Sequence, residues 1–335
     1  MSTNLTVVGT APNLPAALGP DLTAAVDLAK AEKAVSTRKA YGTDFRLFKA
    51  WCEAKGVSAL PASPETVAAF LAAETGDGTK PSTLARRVAA IRYAHKLAHL
   101  DTPTDSEAVK ATLRGIRRTV GAAKVRKAPA VAAKVRAMVA LAPAGLKGLR
   151  DRALLLLGFA GAFRRSELVA LDVADIAETE TGLLVTIRRS KTDQDGEGVT
   201  IAIARGDVAC PARALREWLD AAGIEAGPIL RPINKAGTVS GERLTGRSVA
   251  NIVKAYAERA GFDANLFSGH SLRSGFLTSA AAKGASIFKM MDVSRHKSVD
   301  TLRGYVRDAE LFKDHAGAGL LKSASCASTR AARAY

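Results

Sequence analysis

The run FSGHSLRSGF (267–276) sets His270 and Arg273 three positions apart between Gly269 and Gly275. On a helix that spacing puts both side chains on one face, within reach of a single anionic group. A solvated helix face carrying a chance histidine fits the same stretch, so these residues need company before they signify chemistry. Candidate company stands elsewhere in the chain. In GAFRRSELVAL (161–171), Arg164 lies three before Glu167 at a helix start, just after an apolar run. Lys191 sits between Ser190 and Thr192 in a polar turn, and in RHKSVDTLRGYVR (295–307) His296 precedes Tyr305 by nine positions. Guanidiniums grip phosphate oxygens through paired hydrogen bonds, which lysine does less well. Imidazole exchanges protons near neutral pH. A phenol, with a pKa of about 10, is a nucleophile only with help. Together these side chains could break a phosphodiester without a metal.

Taken in order, Arg-x-x-Glu-Leu, a hairpin Lys, His-x-x-Arg and a final His and Tyr, the set resembles the catalytic pattern of the tyrosine recombinases, the phage-integrase family. The resemblance covers residues 131–321. The N-terminal part, with WCEAKG and PTDSEAV…IRR, is similar to the core-binding domain of Cre-type recombinases. The resemblance implies that Tyr305 is the nucleophile, forming a 3′-phosphotyrosyl link and freeing a 5′-hydroxyl. It further implies that Arg164 and Arg273 bridge the phosphate oxygens and that Lys191 is the acid for the leaving 5′-oxygen. His270 would exchange a proton with Tyr305 or the phosphate, and His296 would donate to a phosphate oxygen. Glu167 reads as a buttress that holds an Arg or His. No metal, ATP or other cofactor is implied. Arg165 makes the first arginine ambiguous by one position, and the spacing to Glu167 favours Arg164. Arg165 itself could touch the DNA backbone or be solvated. Arg188 and Arg189 compete with Lys191 in the hairpin. Arg295 stands where the family often has a small residue.

The bulk composition points to the same partner. The chain has 335 residues, 47% of them hydrophobic, with 49 Lys plus Arg against 32 Asp plus Glu and a net charge of +17. That excess seeks a polyanion, and double-stranded DNA is the expected one. The apolar run ALLLLGFAGAF (153–163) suits a buried helix and is too short to span a membrane. The N-terminus lacks the charge and apolar core of a signal peptide. Cys52, Cys210 and Cys326 are widely spaced and fit reduced thiols in a cytoplasmic protein.

Periodicity and caps give a mainly α fold: an all-α core-binding domain followed by an α-rich catalytic domain with a small antiparallel β-hairpin or sheet. The expected boundaries are a loose arm at 1–20, a helical DNA clamp at 21–120, a basic linker at 121–130, a catalytic domain at 131–321 and a disordered tail at 322–335. Tyr41, Phe45, Phe48 and Cys52 share one helical face, and Ser63 with Pro64 opens the next helix. Leu84, Val88, Ile91 and His95 face inward from a third. Val109, Leu113, Ile116 and Val120 face inward from a fourth. LLVTIRRSKTDQDGEGVTIAI alternates on both sides of a polar turn and reads as a hairpin. Helices are expected at 211–222, 245–261, 271–283, 286–293 and 298–306. Tyr41, Tyr93 and Tyr256 read as core. His95 and His99 could grip a metal in principle, but no third ligand is near and packing is the expected role.

No acidic residue falls between Glu107 and Asp151, an interval holding eleven Lys and Arg. A clamp closing on a duplex would use such a one-signed stretch, and Arg86, Arg87, Arg117, Arg118, Lys124, Arg126 and Lys127 are the expected backbone contacts. The segment 309–321 is amphipathic and could pack on its own domain; the resemblance implies that it docks on a neighbouring protomer, giving a tetramer on two paired sites from a free monomer or weak oligomer. A type IB topoisomerase and a non-catalytic DNA-binding factor are the rival readings. Neutralising Lys124, Arg126 and Lys127 together should flatten the slope of log K against log salt by about one for each phosphate the protein no longer neutralises. An unchanged slope in a salt titration would remove the linker from the interface.

Overall fold

The structure, a computed structural model, describes residues 32–121, 127–189 and 198–310, with isolated positions at Asp21, Ala24, Leu28 and Gly317. Lys191, Lys124, Arg126, the arm at 1–20, most of the segment 309–321 and the tail at 322–335 lie outside the described residues. Among the described residues the fold is mainly α, with twelve α-helices and one three-stranded antiparallel sheet. The chain divides into two compact units, Met1–Val125 and Arg126–Tyr335.

The first unit contains α1 (Val35–Ala54), α2 (Pro64–Gly76), α3 (Pro81–Leu97) and α4 (Glu107–Val120). Pro64 and Pro81 open their helices where a missing N–H costs nothing. Ser63 and Ser106 cap α2 and α4 by accepting the N–H groups of Thr66 and Val109. Phe48, Phe70, Leu84, Ile91, Val109 and Ile116 join in one core, with the Phe48 and Phe70 rings edge-to-face at 5.1 Å. Val120, expected inward, is exposed, because it ends α4 one turn beyond Ile116, the last α4 residue in that core. His95 is fully buried. Its Nδ1–H donates to the Ile91 carbonyl at 2.9 Å and its Nε2 accepts the Ala62 N–H at 3.0 Å, so neither nitrogen is left for a metal. His99 is exposed.

The second unit runs α5 (Ala132–Ala140), α6 (Leu146–Ala160), α7 (Arg165–Ala170), β1 (Ile176–Glu178), β2 (Gly182–Ile187), β3 (Val199–Ala204), α8 (Pro211–Ala222), α9 (Gly246–Arg259), α10 (Ser271–Ala282), α11 (Ile287–Ser294) and α12 (Val299–Glu310). The apolar run of α6 is central, with Leu154, Leu155 and Leu157 wholly buried. The expected hairpin is β2–β3, in register from Gly182 opposite Ala204 to Ile187 opposite Val199. Leu183, Val185, Ile187, Ile201 and Ile203 point into the core at period two. A short β1, which the sequence did not announce, adds antiparallel to β2. Trp218 of α8 is fully buried and donates its Nε1–H to the Ile229 carbonyl at 2.7 Å.

Helix α10 is held from both sides. Leu272 packs against Gly158 of α6. The strap at 128–132 crosses α10, with Ala130 N–H bonded to the Ser271 carbonyl and Ala132 N–H to Ser279 Oγ, both at 2.9 Å. The approach is close enough that a Cβ at Gly275 would collide with the Ala130 backbone. Gly275→Ala should therefore destabilise the fold by about 2 kcal/mol through overpacking, read as a lower urea midpoint. A variant as stable as the wild type would show that the strap is not held in register by this contact.

Candidate active site

Four local structures end at one place. The turn Gly161–Phe163 joins α6 to α7, and Arg164 is the residue just before α7. His270 precedes α10, which carries Arg273 on its first turn. Arg295 and His296 follow α11, and Tyr305 lies on α12.

Glu167 is buried in the first turn of α7 and accepts from three donors. They are the Arg164 N–H at 2.9 Å, the Arg164 guanidinium at 2.6 Å and the Arg295 guanidinium at 2.7 Å. Burial alone would raise its pKa, but Arg295, the Arg164 N–H and the Arg164 charge together hold it below the ordinary carboxylate range. Glu167 is thus an ionised buttress.

Arg273 is buried, donating to the Ala162 carbonyl at 2.6 Å and lying 3.3 Å from both ring nitrogens of His296. Its burial and the charges of Arg164 and Arg295 lower its pKa to about 9, which leaves it a cation at neutral pH. His296 also shares a hydrogen bond between Nδ1 and Ser294 Oγ at 2.8 Å. Burial, then Arg273 and Arg164, push its pKa down to about 4. His270 is lowered too, by lost hydration first and by Arg273, Arg164 and Arg165 after it, although its side chain retains an exposed edge. Tyr305 is half-buried against the cluster of Leu277, Ala281, Met290 and Leu302, near enough for its charge to act on Arg273.

The structure thus gathers Arg164, Glu167, His270, Arg273, His296 and Tyr305. Three guanidiniums face one carboxylate, an excess of positive charge that suits an incoming phosphate. Arg165 is exposed, and its stem covers Gly269, where a Cβ would collide with it. The expectation for Arg188 also changes. It lies at the base of the hairpin and bonds Asp172 at 2.6 Å and Asp175 at 2.8 Å, so it anchors the strand. The main residue the motif reading left without a role is Arg295. Its only sequence signal was a cation where the family pattern often has a small residue.

The DNA-contact candidates divide. Arg117 and Arg118 are exposed in the last turn of α4. Lys127 is exposed and donates to the Asn265 carbonyl at 2.6 Å. Arg86 is exposed but paired with Asp44 at 2.6 Å. Arg87 is largely buried, paired with Glu74 and lying over the Phe70 ring, which makes it a strut inside the first unit. Among the described residues no cluster of three or more His, Cys, Asp or Glu is placed to hold a metal, and no helix is long and apolar enough to cross a membrane.

The histidine environment has a measurable consequence. A folded pKa near 4 lies below the ordinary imidazole value of about 6.5. Stability contributed by neutral His296 is therefore complete above about 6.5 and is lost as pH falls towards the folded value. Ring resonances in the free protein should report His296 as neutral at pH 6, and an NMR midpoint near 6.5 would contradict the geometry.

Two family models match the chain: the phage integrase family over residues 132–311 and the phage integrase N-terminal SAM-like domain over 27–100. An integrase/recombinase XerD homolog of Selenomonas ruminantium is 42% identical over 290 residues, covering 85% of each chain. The Cre recombinase of Escherichia phage P1 is 26% identical over 285 residues, covering 79% of this chain and 82% of its own. Among solved structures, the XerH site-specific recombinase in a post-cleavage complex with its difH substrate superposes with a TM-score of 0.54 at 15% identity. That match covers 75% of this chain and 70% of XerH. The family models account for both helical parts, and the Selenomonas relative extends the relationship over most of the chain. The protein belongs to the phage integrase family, the tyrosine recombinases.

Proposed function

We propose that this recombinase cuts and rejoins duplex DNA at specific sites through a 3′-phosphotyrosyl bond to Tyr305, acting as a tetramer on two paired sites. The observation that carries the reading is the convergence of Arg164, Arg273, His270 and His296 with Tyr305 around one buttressed, cation-rich pocket. Arg164 and Arg273 hold the non-bridging oxygens of the scissile phosphate. Tyr305 Oη attacks phosphorus and loses its proton, with His270 as the acceptor. The bond to the 5′-oxygen breaks as that oxygen takes a proton from Lys191. Once the phosphate is bound, His296 donates to one of its oxygens. Attack by a 5′-hydroxyl from the exchanged strand reverses each transfer and regenerates Tyr305. The phosphotyrosyl bond conserves the energy of the diester it replaces, so rejoining needs no nucleotide.

Arg117 and Arg118, together with Lys124, Arg126 and Lys127, supply the backbone contacts, and Arg86 joins them if it exchanges Asp44 for phosphate. Arg87 is left out of the contact set because its guanidinium is committed inward. A core-binding domain at 21–120, a linker at 121–130 and a catalytic domain at 131–321 form the working unit, with 309–321 docking on the next protomer. The cytoplasm is the proposed compartment, in keeping with the buried free thiols of Cys52 and Cys210.

Tyr305→Phe should bind its site as the wild type does and form no covalent protein–DNA adduct on a nicked suicide duplex. An adduct that persists in this variant would move the nucleophile elsewhere.

A further inference from the structure

Arg295 occupies the most connected position in the site, and none of the recognition motifs requires it. It follows α11 with φ +57°, a left-handed conformation that glycine or asparagine usually takes and that costs other residues about 1 kcal/mol or more. The side chain is only 6% exposed. Its guanidinium donates to the Gly161 carbonyl at 3.1 Å, the Ala162 carbonyl at 3.1 Å and Glu167 at 2.7 Å, and also bonds the Val293 carbonyl. It lies 5.2 Å from the centre of the Phe163 ring.

Two of these acceptors are shared with the phosphate-holding arginines. Glu167 also binds Arg164, and the Ala162 carbonyl also binds Arg273. Ala162 itself has φ +46°, so two non-glycine residues in the left-handed region meet across this contact. A carbonyl has two lone pairs, and both are engaged here. We propose that Arg295 is a positioning residue: by gripping Glu167 and the Ala162 carbonyl at once, it fixes the spacing between Arg164 and Arg273 and ties both to the turn that carries His296. The assignment rests on the proposed function for what those two arginines do. Arg295 contacts their holders and leaves the phosphate to them.

The competing account makes Arg295 a space-filler against Phe163. Arg295→Met separates the two, because it keeps an apolar stem and removes the charge and all donors. Arg295→Lys restores the charge without the planar fork. On a nicked suicide duplex at saturating protein, Arg295→Met should cleave about a hundredfold more slowly, the scale of a small misplacement of catalytic groups. Half-site affinity should stay within about threefold, since uniform binding is untouched. Arg295→Lys should recover part of the missing rate. Because the residue acts through Glu167, the double variant Glu167→Gln/Arg295→Met should be no slower than the slower single. Cleavage by Arg295→Met at the wild-type rate, parallel loss of DNA binding and cleavage in both single variants, or rate losses that multiply in the double would each overturn the assignment.

A second measurement does not depend on catalysis. Glu167 faces Arg164 and Arg295 directly, with Arg273 close by. In the wild type its carboxyl is held low, so the stability it contributes is present above the ordinary value of about 4.3 and fades as pH falls below it. Without Arg295, burial gains weight and the ionised form becomes a cost. The gap in melting temperature between wild type and Arg295→Met should be widest at pH 7 and close as pH falls through the carboxylate range. That closure should disappear when both proteins carry Glu167→Gln. A pH-independent gap would overturn the shared ion pair. Absence of any adduct in the wild type would instead overturn the proposed function, leaving the pH-linked gap to report on the brace.

Discussion

The Glu167 carboxylate, buried between two guanidiniums, is the interaction on which the site depends. A buried carboxylate alone would take up a proton, and a buried arginine alone would meet an uncompensated desolvation cost. Held together, Glu167, Arg164 and Arg295 offset one another's charge and fix three backbone segments: the α6–α7 turn, the start of α7 and the turn after α11. Their value lies less in net stability, which buried ion pairs supply poorly, than in geometry. Removing Glu167 leaves two guanidiniums without their carboxylate, and removing either arginine leaves the carboxylate with one cationic partner instead of two.

The same set leaves the pocket with more positive than negative charge. Arg164 and Arg295 repel Arg273, and burial first, then Arg273 and Arg164, suppresses protonation of His270 and His296 in the free protein. A phosphate arriving among them removes part of that repulsion. Donors already oriented by Glu167 and the Ala162 carbonyl need little reorganisation when charge develops on the phosphate oxygens, which is the source of electrostatic catalysis in a preformed site. A neutral His296 can donate only one proton at a time, so its acid–base state is linked to whether the anion is present.

Arg273 can enter so buried a position because α10 is closely packed on both sides. Gly158 admits Leu272 from α10, while Gly275 admits the strap at Ala130. Farther along the chain, Leu277, Ala281, Met290 and Leu302 join α10, α11 and α12, giving Tyr305 a rigid apolar support. The hairpin is anchored at its base by Arg188 on Asp172 and Asp175, and Asp172 also takes Arg243 at 2.6 Å. The side chains proposed for catalysis therefore come from separate elements, each held by its own local packing.

Local sequence determined most of the helices, because apolar residues at helical spacing and a Ser-Pro start such as Ser63-Pro64 are short-range signals. It also determined the β2–β3 hairpin, whose alternation is local, and it marked the motif residues that converge at the site. Partners at long separation decided the remainder. The three-residue β1 has too little pattern to be seen without β2 beside it. Val120 follows the inward helical period but ends beyond the core. Arg87 reads as one more surface cation until Glu74 and Phe70 enclose it. Arg295 is the clearest case: its type suggested no partner, and only the fold brings Glu167 and the Ala162 carbonyl, more than 120 positions earlier, within hydrogen-bond reach. Charge identity is written in the chain, whereas charge pairing is a property of the space into which it folds.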